Sequence, residues 1–188
     1  MSLDATINKA SVLIEALPYL QSFRGHTFLI KMGGSAMEDP NLVRKVMRDI
    51  VFLEVAGINP VIVHGGGKAI SAAMKEAGLD AKFIGGFRVT TPEAIEIVEQ
   101  TLSHTINPGL VEMISEFGGK AHGIPGTDVF VGRRIQATDD DGQQVDIGRV
   151  GEAVSCQLGL ALQHIHAETV PVISPLAAEE ETGKPLNV

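Results

Sequence analysis

The sequence predicts an α/β fold built on a mainly parallel central sheet, and three features carry that prediction. Short apolar runs, "TFLIKM" at 27–32, "NPVIVH" at 59–64 and "VPVIS" at 170–174, have the length and β-branched content of buried strands. Segments with helical spacing of apolar residues separate them. Glycine turns close the first two runs, Gly33-Gly34 and Gly65-Gly66-Gly67, where a strand hands over to a helix.

The elements follow in order. Ile7, Ala10, Val12, Leu13, Ile14 and Leu17 predict an amphipathic helix over 3–17 that stops at Pro18 and lies outside the main alternation. Asp39-Pro40 reads as a helix N-cap with proline at the first helical position. Leu42, Val43, Val46, Met47, Ile50 and Leu53 form its core stripe, which ends near Gly57. The next helix runs from Lys68 to Ala77 and stops at Gly78. "FIGGFRVT" at 83–90 is an extended stretch broken by glycine, and Thr91-Pro92 opens a helix reaching about residue 103. "NPGLVEMISEF" predicts another, ended by Gly118-Gly119. Residues 128–156 alternate apolar and polar around "DDDG", which predicts β-hairpins decorating one sheet edge. A helix over 157–166 and the strand at 170–174 come next, and "EEETGKPLNV" reads as a hairpin that stops midway.

Composition narrows the function classes. The chain has 188 residues, 44% hydrophobic and 20% charged, which describes a globular protein. No apolar run is long enough for a membrane span, and the N-terminal residues lack the basic region of a signal peptide. The net charge of −8, with one tyrosine and no tryptophan, excludes nucleic acid as the expected partner. The lone Cys156 precludes an internal disulfide, suits a reducing cytoplasm, and is expected to be a small buried residue.

An acidic protein can still bind an anion where positive groups converge. In doubly wound sheets ligands gather beyond the carboxyl ends of the strands, where both glycine turns lie. Amides at a helix N-terminus favour phosphate or carboxylate oxygens, and glycine lets those oxygens approach. The triple-glycine turn matches neither of two known nucleotide fingerprints. The P-loop fails at Ile62 and Ala69, and the dinucleotide motif fails at Ile70. Lys31 interrupts an apolar strand immediately before Gly33-Gly34, where a cation offsets charge on a transferring phosphoryl group. Arg88, beside Gly85-Gly86, has the fork that grips a carboxylate. His64 is read as a hydrogen-bonded structural residue rather than a base. His164 and His166 do not share a helical face, and "DDD" lacks the calcium-loop pattern, so no metal site is expected.

"FLIKMGGSAM", "VIVHGGGKAIS", "GFRVT" and "GKPLNV" occur in the order found in N-acetylglutamate kinases of the amino acid kinase family, which the chain resembles along essentially its whole length. The resemblance implies a three-layer αβα sandwich. It also implies ATP-dependent phosphorylation of the side-chain carboxylate of N-acetyl-L-glutamate in arginine biosynthesis, with Mg2+. By position, Lys31 matches the lysine that stabilises the phosphoryl group, and Gly33 and Gly34 form the first phosphate-facing loop. Gly66 and Gly67 match the loop holding substrate, Arg88 the grip on its α-carboxylate, and Asn187 a substrate contact. Residues 1–25 then form an N-terminal helix and lead-in, and 26–188 the amino-acid-substrate lobe. Regulated members carry a similar extra helix, so a homo-oligomer is implied, a dimer or a hexamer built through that helix. Gly85 and Pro108 depart from the usual pattern and are expected to tune specificity, for instance toward N-acetyl-aminoadipate. The sequence stops at Val188, before the family's second lysine and adenine-nucleotide segment. The expectation is a chain that binds substrate but catalyses little; the alternative is a non-catalytic acyl-amino-acid-binding or assembly module.

Overall fold

The computed structural model describes residues 3–188, apart from the side chains of Ala5, Thr6 and Ser35; the first two residues of the N-terminal segment lie outside the described residues. Four strands form a parallel sheet in the order β1 (Thr27–Met32), β2 (Asn59–His64), β8 (Val170–Ile173), β5 (Ala121–Ile124). Helices α2 (Pro40–Val55) and α5 (Asn107–Glu116) cover one face. There Met32, Ile62, Val170 and Val172 meet Val43, Met47, Ile50, Leu110 and Ile114. On the other face, Val61, Ile124 and Ile173 pack with Ile165 of α6 (Gly159–His166) and with Phe130. This is the predicted αβα layering.

Local signals act where the sequence places them. Asp39 Oδ1 accepts hydrogen bonds from the Asn41 and Leu42 amides, which caps α2 with Pro40 in its first turn. Thr91 Oγ1 accepts from the Ala94 amide and caps α4 (Pro92–Thr101). A π-helical turn, Leu102–Ile106, joins α4 directly to α5. Helix α3 (Gly67–Glu76) starts at the last of the three glycines, and strands β3 (Phe83–Ile84) and β4 (Phe87–Arg88) pair around Gly85-Gly86.

Several expectations need correction. Pro18 does not end the first helix: α1 runs Leu3–Phe23 with Pro18 inside it, and Val12, Leu13 and Ile14 stand exposed. Strand β1 is not buried. It is the sheet's edge strand, Leu29 is 71% exposed, and Met32 alone in the strand is buried. Cys156 is exposed, because it ends a strand that has already passed beyond the core.

The hairpin region is more than an edge decoration. Strands β6 (Phe130–Thr138) and β7 (Gln144–Cys156) are antiparallel, and β9 (Leu176–Glu179) and β10 (Pro185–Asn187) join them into a closed ring, β10-β7-β6-β9. The terminal segment is thus a hairpin, as expected. Glu179 lies inside a cationic clasp, with Arg149 Nη1 2.7 Å and Arg134 Nε 2.7 Å from its oxygens. A hydrogen bond from the Thr182 hydroxyl, then the arginines, hold its carboxyl down to about 2 against the opposing effect of burial.

Candidate functional site

A cleft of about 380 Å³ opens beyond the carboxyl ends of β1 and β2. Lys31, Gly33, Gly34, Gly66, Gly67, Arg88 and Asn187 all line it, although the sequence spreads them over more than 150 positions. A larger cleft, about 440 Å³, lies at the opposite ends of the strands near Asn59 and Val170 and contains none of them.

Two of the three glycines have a steric reason. A Cβ on Gly65 would stand 3.3 Å from the Gly33 Cα, so the two glycine turns touch backbone to backbone. A Cβ on Gly66 would meet the Ile106 Cδ1 at 2.5 Å and the Leu102 Cδ2 at 2.8 Å, the side chains of the π-helical turn. Gly67 faces open space, as do Gly33 and Gly34. Gly34 is also left-handed, at φ +55°, a conformation that penalises a side chain. No side chain caps α3, so its first-turn amides and positive dipole end remain available to an anion.

Beneath this loop sits a buried polar network. Asn107 Nδ2 donates to the Val172 carbonyl at 2.8 Å and to His64 Nε2 at 3.2 Å. His64 then carries its proton on Nδ1 and donates to the Gly65 carbonyl at 3.2 Å. Burial lowers the His64 pKa, partly opposed by the Gly65 bond, so the ring is a neutral structural element rather than a base. This matches the sequence reading. Asn107, its partner from α5, had no distinguishing sequence signal.

Arg88 is the most enclosed cation of the cleft. Its Nη2 donates to the Gly67 carbonyl and the Ser71 hydroxyl, each at 2.8 Å, and its guanidinium lies 4.8 Å over the Phe83 ring. Burial lowers its pKa, yet an arginine stays charged through any physiological range. Among the described residues no carboxylate pairs with it. A desolvated cation with only neutral partners favours an incoming anion. Ser71, one turn into α3, orients that fork and was missed in the sequence because a helical serine is unremarkable.

Lys31 reaches the same cleft from the exposed side of β1 and forms no ion pair among the described residues. Lys68 points elsewhere, into an adjoining cavity, where it pairs with Glu38 at 2.5 Å. Asn187 enters from β10, its Nδ2 3.3 Å from Thr90 Oγ1. Val150 and Gly151 of β7 complete that wall. Gly85 and Pro108 do not line the cleft.

The amino acid kinase family model matches residues 26–188. The chain belongs to the amino acid kinase family. An acetylglutamate kinase of Akkermansia muciniphila is 61% identical over 182 residues, covering 97% of this chain and 61% of that protein. One from Thermoanaerobacter pseudethanolicus is 44% identical, covering 97% of this chain and 59% of that protein. The family member described here therefore spans about three fifths of the length of these curated relatives. In fold it is similar to an N-acetylglutamate synthase from Neisseria gonorrhoeae complexed with coenzyme A and N-acetyl-glutamate. That match has a TM-score of 0.75 at 21% identity, over 100% of this chain and 41% of that one. The smu.665 protein of Streptococcus mutans matches with a TM-score of 0.70 at 24% identity, over 87% and 63%. No described helix is long and apolar enough to cross a membrane.

Proposed function

We propose that this chain carries the acceptor site of an acetylglutamate kinase, a phosphotransferase with a carboxyl group as acceptor. The observation supporting it is the convergence on one cleft of Lys31, two glycine turns, Arg88 and Asn187 from separate segments. N-acetyl-L-glutamate offers two carboxylates to that arrangement. Arg88 would hold the α-carboxylate, with Asn187 orienting the acyl amino acid. The amides around Gly66 and Gly67 would hold the side-chain carboxylate in line with the donor phosphoryl group, which lies toward Gly33-Gly34. The Lys31 ammonium would offset charge on the transferring oxygens, with no covalent enzyme intermediate.

ATP is the co-substrate that kinship implies. Mg2+ has no ligand set in the cleft: its lining contains no carboxylate, and among the described residues no group of three His, Cys, Asp or Glu side chains could hold an ion. Any Mg2+ would arrive with the nucleotide. A homo-oligomer through the exposed apolar face of α1 and a cytoplasmic setting belong to the same proposal.

Titration calorimetry with N-acetyl-L-glutamate tests acceptor binding directly, and an ATP-dependent hydroxylamine trap tests transfer. Binding that is lost in Arg88→Ala supports the acceptor site. Binding without acyl hydroxamate assigns the chain to substrate binding alone. Tighter binding of N-acetyl-aminoadipate would replace the acceptor, and no binding from the folded chain would overturn the proposal.

A further inference from the structure

Arg88 and Asn187 lie 99 positions apart, and one residue that does not line the cleft touches the supports of both. Arg149, on β7, is 5% exposed. Its backbone amide donates to the Thr90 carbonyl at 2.6 Å, while the Thr90 amide donates back to Ile147 at 2.9 Å. These bonds hold the segment leaving β4, because the Thr90 hydroxyl donates to the Arg88 carbonyl at 2.9 Å. Close approach here depends on Gly148, whose φ is +77° and whose Cβ, if present, would stand 2.3 Å from the Thr90 carbonyl oxygen.

The Arg149 side chain then reaches the opposite segment. Nε and Nη2 both donate to the Pro185 carbonyl, at 3.0 and 2.8 Å, at the start of the strand that ends in Asn187. Nη1 donates to Glu179 Oε2 at 2.7 Å, and with Arg134 on the other oxygen it neutralises that buried carboxylate. The circuit closes where Asn187 Nδ2 meets the same Thr90 hydroxyl. A lysine cannot reproduce this arrangement, since it offers one ammonium where a planar fork serves a carbonyl and a carboxylate together.

We propose that Arg149 is a positioning residue for acceptor binding: its amide and guanidinium fix the separation between Arg88 and Asn187, two residues that must contact one ligand at once. The inference rests on the acceptor-site reading. It assigns no contact between Arg149 and substrate.

The test uses the 188-residue chain, N-acetyl-L-glutamate as probe, and Arg149→Lys, Asn187→Ala and their combination. Arg149→Lys should weaken binding by about tenfold, the weight of one hydrogen bond to a charged ligand, and Asn187→Ala by a similar factor. The double variant should bind no worse than the weaker single one, because Arg149 acts through Asn187. Full additivity would mean a general structural role and would overturn the inference. If Arg149→Lys fails to fold, Glu179→Gln keeps the side-chain shape while loosening the fork, and should show the same non-additivity. The Asn187 side-chain amide resonance in the free chain supplies a readout that needs no ligand. It should move in Arg149→Lys while the Gly34 amide stays in place, and an unmoved Asn187 signal would reject the proposal. Wild-type chain that binds no N-acetyl-L-glutamate, with the Asn187 shift still observed, would remove the acceptor reading and leave the positioning geometry intact.

Discussion

The two strand-turn units that frame the cleft share one sequence pattern and end in opposite environments. In the β2 unit Ile62 is fully buried, His64 and Asn107 tie the loop to β8, and Leu102 and Ile106 press on Gly66. In the β1 unit Leu29 and Lys31 face outward, and a side chain at Gly33 or Gly34 would point into open space. A buried strand and an exposed one were indistinguishable as apolar hexapeptides. What separates them is the neighbours: β2 lies between two strands, and β1 has a partner on one side only. Under the proposed function the packed unit would present its amides to the acceptor, and the exposed one would present Lys31 toward the donor side.

The contrast can be broken by substitution, and the largest effect should come from the buried strand. Ile62→Ala should lower unfolding free energy by about 2–5 kcal/mol, through lost burial and the cavity left behind. Urea denaturation measures it, and a loss under about 1 kcal/mol would mean that β2 is less tightly packed than its zero exposure indicates. Asn107→Leu should cost about 1–3 kcal/mol, because His64 Nε2 and the Val172 carbonyl lose their donor in a dry interior. An amide-exchange experiment should then show faster exchange at Gly65 and Gly66 and no change at Gly34.

Acid sharpens the same difference. The folded His64 has a lowered pKa, so the unfolded chain binds its proton more readily, and stability should fall as pH drops below the unfolded value of about 6.5. His164, also lowered by burial and by stacked His122, adds a slope of the same sign. The part due to the β2 unit is the part that His64→Gln removes. An unchanged slope in that variant would place the acid sensitivity outside the cleft. At the small end, Leu29→Ser on β1 should change stability by less than about 0.5 kcal/mol and reduce self-association, seen as lower light scattering at equal concentration. A large stability loss would show that the exposed face of β1 is covered in solution.

Local chemistry made much of the fold legible. The Asp39-Pro40 and Thr91-Pro92 caps, the glycine turns and the strand expected at 170–174 and found at Val170–Ile173 depend on neighbours within a few residues. The glycine turns of the cleft were legible for a related reason, since consecutive glycines are costly unless used; Lys31 stood out only because its strand was read as buried, and Asn187 came through the family resemblance alone. Other features depend on contacts the chain makes with distant parts of itself. Pro18 continues a helix it was expected to stop. Ser71 and Asn107 look ordinary until Arg88 and His64 arrive beside them. Arg149 and Glu179 look like surface charges in an alternating hairpin until β9 and β10 close over them.

That closure also has a temporal side. The ring joins Val131 to Ala178 and Val150 to Asn187, so its parallel pairings span 47 and 37 positions and no short hairpin can nucleate them. Long-range parallel pairing is the slow part of folding, because loop entropy is lost before contacts repay it. On a ribosome, the β2 unit and its helices can collapse while Asn187 is still inside the exit tunnel. Within these residues the cleft wall that carries Asn187 is then assembled after the glycine loop, and the nascent chain passes through a stage with that loop formed and that wall absent.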